Sequence, residues 1–151
     1  MDTISFEELR QQKIDAAQAR ALAFLRGLHI DLIPAVPRIE RIHQTVYAAV
    51  LRGTLDMKRW HGPSDNFCGT VHCRAGWVVH LTGEWGRAGE AGYILPGVLA
   101  EAVYLASGYD GPLDFNPYGP HGESPDKWNA TVLDDMRRLA EAEARGEPVS
   151  F

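Results

Sequence analysis

The 151-residue chain has little cysteine, an excess of acid over base, and no long apolar run. Two cysteines, Cys68 and Cys73, are too few for the disulfide framework of a small secreted fold. Together with an N-terminus that carries Asp2, Glu7, Glu8 and Arg10 and lacks a basic-then-apolar export pattern, they predict a reducing, cytoplasmic setting. Fifteen Lys and Arg stand against twenty Asp and Glu, a net charge of −5. That balance argues against a general phosphate-backbone binder and against direct nucleic-acid contact as the purpose of the chain. No apolar stretch approaches the ~20 residues of a membrane-spanning helix, so no membrane role is expected. The phosphate-cradling GxxxxGK[ST], the dinucleotide GxGxxG after a strand, the metalloprotease HExxH and the hydrolase GxSxG are all missing. Alternation at a period of two is also lacking, which argues against a sheet protein.

What remains is helical periodicity. Ser5 and Glu8 form a capping-box signature ahead of Ala17, Ala21, Phe24, Leu25 and Leu28, with Gly27 as the expected stop. Pro37 suits the first position of a second helix through Ile39, Ile42, Val46 and Val50 to Gly53. A third helix is expected from an N-cap at Thr70 to Gly83. The four glycines of Gly83 to Gly92 read as a turn-rich connector. Leu99, Ala102, Val103 and Ala106 mark a fourth helix ended by Gly108, and Ser124 and Pro125 open a last one that runs to Gly146. The expectation is a mostly α, single compact domain over residues 1–151, frayed at 1–4 and 147–151. It has about five helices and a long Gly/Pro-rich loop, Tyr109 to Glu123, before the last. The carboxylate pairs Asp134/Asp135 and Glu141/Glu143 read as a solvated helix face.

Chemistry-bearing residues concentrate between Trp60 and Trp85, where both cysteines and His61, His72 and His80 lie. Three readings compete. His61, Cys68, His72 and Cys73 supply four ligand types for a tetrahedral zinc site, although neither CxxC nor HxxxH spacing is present. Alternatively, Cys73 in the first turn of the third helix, where backbone amides and the dipole favour a thiolate, is a nucleophile with His80, His61 or His121 as its base. The third reading is packing, since free cysteine and helix-spaced tryptophan commonly fill a core. No cofactor is required by any of this except zinc in the first reading.

The run Cys68-Gly69-Thr70-Val71-His72-Cys73-Arg74-Ala75-Gly76-Trp77, preceded by Trp60-His61, resembles a group of small uncharacterised bacterial and phage-associated proteins. Those carry a W-H segment followed by C-x-T-x-H-C-x-A-G-W. The likeness extends to Val36–Ile42 upstream and Tyr104–Ser107 downstream, and this chain has a longer insert between His61 and Cys68. The resemblance implies relatives associated with mobile elements and implies no reaction.

Residues 61–125 hold only Arg74 and Arg87 against seven carboxylates. With Trp60 just before it, this acidic stretch also carries Trp77, Trp85, Tyr109, Phe115 and Tyr118, the aromatic type that anchors interfaces. The sequence therefore predicts a small protein-binding, regulatory chain, such as an acidic inhibitor of a basic host protein. The competing readings are a thiol-dependent hydrolase or transferase and a zinc-stabilised module.

Overall fold

A computed structural model describes residues 3–31, 35–55, 71–111, 113, 115 and 123–147. The chain is mostly α: α1 (Phe6–Gly27), α2 (Ile42–Arg52), α3 (Arg74–Leu81), α4 (Glu84–Ala91), α5 (Pro96–Ala106) and α6 (Pro125–Ala144). Two two-residue strands, β1 (Thr54–Leu55) and β2 (Val71–His72), pair in parallel, Thr54 opposite Val71 and Leu55 opposite His72. None of the described helices is long and apolar enough to cross a membrane.

Three helix starts follow local chemistry. The Ser5 hydroxyl accepts the Glu8 amide at 3.1 Å while the Glu8 carboxylate accepts the Ser5 amide at 3.3 Å, closing the capping box. Ser124 caps α6 by accepting from the Lys127 amide at 3.2 Å, with Pro125 at the first helical position. Pro96 likewise takes the first position of α5, whose N-cap Leu95 offers no side-chain hydrogen bond.

Elsewhere tertiary contacts overrule the local signal. Pro37 does not start α2. The Gln18 side chain both donates to the Val36 carbonyl (2.9 Å) and accepts from its amide (2.6 Å), and the Ile39 amide donates to Ser107 Oγ at 3.0 Å. The segment is thereby held outside helical geometry until Arg41, which has φ 49°. The third helix starts at Arg74 with Cys73, not Thr70, as its N-cap. Gly27 lies in open space within α1, and the left-handed residue that ends the helix is His29 at φ 62°.

The expected connector of Gly83 to Gly92 is instead a helix, α4, which brings the number of helices among the described residues to six rather than about five. Its glycines serve close packing. A Cβ on Gly86 would lie 2.5 Å from both Thr82 Oγ1 and the Val79 carbonyl oxygen, and one on Gly89 would lie 2.7 Å from Leu99 Cδ2. Thus α4 nests against the end of α3 and the start of α5, a distance that only glycine permits.

Order within the bundle follows from a few contacts. Arg10 and Arg38 both pair with Glu40, and Gln18 holds Val36, so residues 36–40 run back along α1. The end of α5, at Ser107, sits beside that return. No α1 residue before Ala17 is buried, whereas Ala17, Ala21 and Leu25 are. Helix α5 therefore packs antiparallel on the C-terminal half of α1, and alanines are buried on both helices. The C-terminus of α1 and the N-terminus of α5 face the same end of the molecule. Helix α6 runs antiparallel to α2, its C-terminal Glu143 lying at the N-terminus of α2. Val46, Val78, Leu99, Val103 and Val132 are central to the resulting core.

Candidate functional site

The residues singled out by sequence are placed in three different settings. Cys73 is buried (2% exposed), and its Sγ accepts the Gly76 amide at 3.3 Å, the capping role usually taken by Ser, Thr or Asp. Trp77, one turn further along, is buried, and its ring meets that of His80 edge to face at 5.8 Å. His80 itself is exposed. Cys73 and His80 are seven positions apart, about 10 Å of helix rise, and one side chain is buried while the other is at the surface.

Tyr109 is buried, and Phe115 is half-buried against Tyr104 at 6.4 Å. Trp85 is half-buried on α4 with its indole nitrogen enclosed. Trp60, His61, Cys68 and Tyr118 lie outside the described residues, and of His72 only the backbone, on β2, is described. Among the described residues no group of three or more His, Cys, Asp or Glu side chains is placed to hold a metal ion.

The most unusual group was not expected from sequence. Arg74, the first residue of α3, turns its whole side chain inward and is 1% exposed. Its Nη2 donates to Asp135 Oδ2 at 2.7 Å, and Arg138 donates to the other carboxylate oxygen at 2.6 Å. Burial opposes ionisation of Asp135, but Arg74 beside it and the hydrogen bonds from both guanidiniums hold its carboxyl below the usual range. Asp134, its neighbour, is a surface residue paired with Arg137 at 2.5 Å. The two acids of one predicted solvated pair therefore do different things.

Beside Arg74 lie three rings. His43 on α2 stacks edge-on against Tyr109 at 4.4 Å and lies 5.7 Å from Tyr104 of α5. Burial raises the Tyr104 hydroxyl above its ordinary pKa, with Arg74 acting in the opposite sense, and burial likewise raises Tyr109. His43 is pushed the other way: burial lowers it, Glu143 resists that, and Arg74 adds to it. His43 Nε2 and Arg74 Nε are enclosed and have no hydrogen-bond partner among the described residues.

Glu143 completes the arrangement. Arg41 offers α2 no side-chain cap. Instead the Glu143 carboxylate accepts the His43 amide (3.3 Å), the Gln44 amide (3.0 Å) and the Gln44 side-chain nitrogen (2.9 Å). A carboxylate there satisfies orphan amides and meets the positive end of the helix dipole. The Glu141/Glu143 pair thus splits as the aspartates do, Glu141 remaining at the surface with Arg137.

Chemically, this cluster joins α2, α3, α5 and α6 through one buried cation, two carboxylates and three rings. A charge buried in this way is costly unless it is paired, so the Arg74–Asp135 contact holds α3 and α6 in register. The hint in the sequence is Arg74 itself, a charged residue at i−3 and i−4 to Trp77 and Val78 in an otherwise apolar helix. Its partner lies 61 residues further along the chain.

Comparison of the chain with protein-family models, curated proteins and solved structures finds no match.

Proposed function

We propose that this chain is a small protein-binding module, and that it engages its partner through the end of the molecule formed by the α4–α5 junction and the C-terminus of α1. The observation that carries this reading is Tyr93. It is 96% exposed and has φ 65°, a left-handed backbone. The Tyr93 amide donates to the Glu90 carbonyl and the Ile94 amide to the Gly89 carbonyl, so Tyr93 occupies the helix-ending position that favours glycine. Gly108 and Gly146 fill the same position after α5 and α6. A large aromatic held in a strained backbone and left almost fully exposed is the kind of residue an interface uses. Leu95 is exposed next to it, and the antiparallel packing of α1 and α5 brings exposed Leu28 to the same end.

This reading keeps the class of function expected from the sequence and moves the contact surface. Trp77 and Tyr109 support the module from within its core, and Tyr93, Leu95 and Leu28 face a partner. Regulation of a host protein, as the resemblance to mobile-element proteins suggests, is one setting for it.

The test places p-benzoylphenylalanine at position 93 and, as a control, at exposed Gln12, with the full chain expressed in bacterial cells. Irradiation is expected to give a discrete protein adduct from position 93 that position 12 does not give. Equal patterns from both positions, or no adduct from 93, would refute the reading.

One observation favours a second reading, a thiol-dependent hydrolase or transferase: the Cys73 sulfur lies at the N-terminus of α3 and accepts an amide N–H there. Cys73→Ser separates the two. It preserves a capping oxygen and leaves the binding module intact, whereas a thiol enzyme loses turnover. A zinc-stabilised module would add Cys73 to His61, Cys68 and His72, and metal content per chain tests it.

A further inference from the structure

Among the buried titratable groups, His43 is the one whose surroundings offer no accommodation for a second proton. It is 5% exposed, and its ring is bounded by Tyr104 on α5 and Tyr109 just after it. The charged groups that act on it are Arg74 from α3 and Asp135 and Glu143 from α6. On its own helix it is the second residue of α2, so its backbone lies at the positive end of the dipole, and Arg41 beside it is exposed. Both carboxylates are already committed, Asp135 to Arg74 and Arg138, and Glu143 to the first amides of α2.

We infer that His43 is an acid-operated latch on the α2–α6 seam. A proton on His43 puts a second cation beside the buried Arg74 and at a helix N-terminus. Among the described residues the anions that act on it are Glu143 and Asp135. Drawing Glu143 to the ring strips the cap from α2, and drawing Asp135 to it strips the counter-charge from Arg74. Either way the contact between α2 and α6 loosens, while α1 supplies no residue to this cluster. The expected acid form is a chain with α2 and the C-terminal part of α6 released and α1 and α5 still docked.

The sign follows from burial. A histidine held neutral in the closed form favours closure fully above its ordinary pKa of about 6.5, and that contribution is lost as pH falls below it. One proton taken up on opening multiplies the opening equilibrium about tenfold between pH 7.5 and pH 5.5.

Hydrogen exchange followed by mass spectrometry on the full chain at these two pH values, corrected for the intrinsic exchange rate, reads this directly. The expected result is about tenfold faster exchange in α2 and the C-terminal half of α6 at pH 5.5, with α1 and α5 unchanged. His43→Gln, which cannot take the proton, is expected to abolish the difference. Uniform acceleration over all helices, no acceleration, or acceleration that persists in His43→Gln would overturn the inference. Should His43→Gln fail to fold, the ring protons of His43 in the wild-type chain decide by NMR titration. A ring still neutral below pH 6 supports the latch, and one that titrates at 6.5 or above overturns it.

Discussion

Replacing Asp135 by asparagine changes almost no volume and leaves the Arg74 guanidinium buried without its counter-charge. The magnitude follows from the two exposures. The Arg74 side chain is 2% exposed and cannot be rehydrated without moving α3, whereas Asp135 is 34% exposed, so water reaches the mouth of the site. Breaking a fully buried pair by removing one partner costs about 3–5 kcal/mol, and partial access of water puts the expected loss at about 2–4 kcal/mol. For a chain of this length, 1 kcal/mol moves the melting temperature by about 2–4 °C, so a drop of about 6–12 °C is expected at the centre of that range. The opposite deletion is milder. In Arg74→Met the methionine fills the pocket, and Asp135 keeps Arg138 and its share of solvent, so the loss should be about 0–1.5 kcal/mol. The double variant should then recover most of what Asp135→Asn loses, giving a coupling of about 1.5 kcal/mol or more in a double-mutant cycle. Chemical denaturation of the four chains at pH 7 measures all of it. Equal losses from the two single variants, or an Asp135→Asn loss below about 1 kcal/mol, would refute the argument that Arg74 depends on this one carboxylate. Lowering the pH provides a further check. Because Asp135 is held below its ordinary pKa in the folded chain, its contribution is present above that value, and protonation removes it as pH falls through the depressed one.

Other expectations follow from backbone geometry. Tyr93→Gly should stabilise the isolated chain by about 1 kcal/mol, because glycine takes the left-handed conformation without the Cβ clash; thermal unfolding reads it, and a loss of stability would mean that Tyr93 packs against its own chain. Gly86→Ala should destabilise by about 1–3 kcal/mol, since its Cβ would meet the Val79 carbonyl oxygen and Thr82 Oγ1 at 2.5 Å. Gly27→Ala, in open space within α1, should instead gain about 0.5–1 kcal/mol. The opposite signs of these two glycine substitutions in one denaturation series are the expected result, and a shared sign would contradict the packing described for α4.

The elements that sequence anticipated are those whose determinants are local. Ser5 and Glu8 sit three residues apart and cap α1 as that spacing predicts, and Ser124 with Pro125 opens α6 as expected. Long-range contacts decided the rest. Pro37 carries a helix-start signal, but two hydrogen bonds from Gln18 hold the adjacent Val36 out of helical geometry. Gly83, Gly86, Gly89 and Gly92 recur every three residues, which suits a row of turns as well as one face of a helix, and only the proximity of Val79 and Leu99 selects the helix. The carboxylate pairs were ambiguous for the same reason. Asp135 and Glu143 differ from Asp134 and Glu141 through their contacts with α3 and α2, which no window along α6 contains. Aromatic content pointed to an interface, but whether a tryptophan or tyrosine faces a partner or the core depends on the face of its helix. Trp77 faces inward, while Tyr93, one residue past the stretch read as a connector, points out.

The central claim is that Tyr93 meets a partner while Cys73 serves the fold. Its most direct test is the affinity of the purified protein that crosslinks at position 93 for three forms of this chain. Tyr93→Ala is expected to weaken binding by about 30-fold or more, as loss of a central aromatic anchor does, and Cys73→Ser is expected to bind as the wild type does. Unchanged affinity in Tyr93→Ala, or a loss confined to Cys73→Ser, would contradict the account.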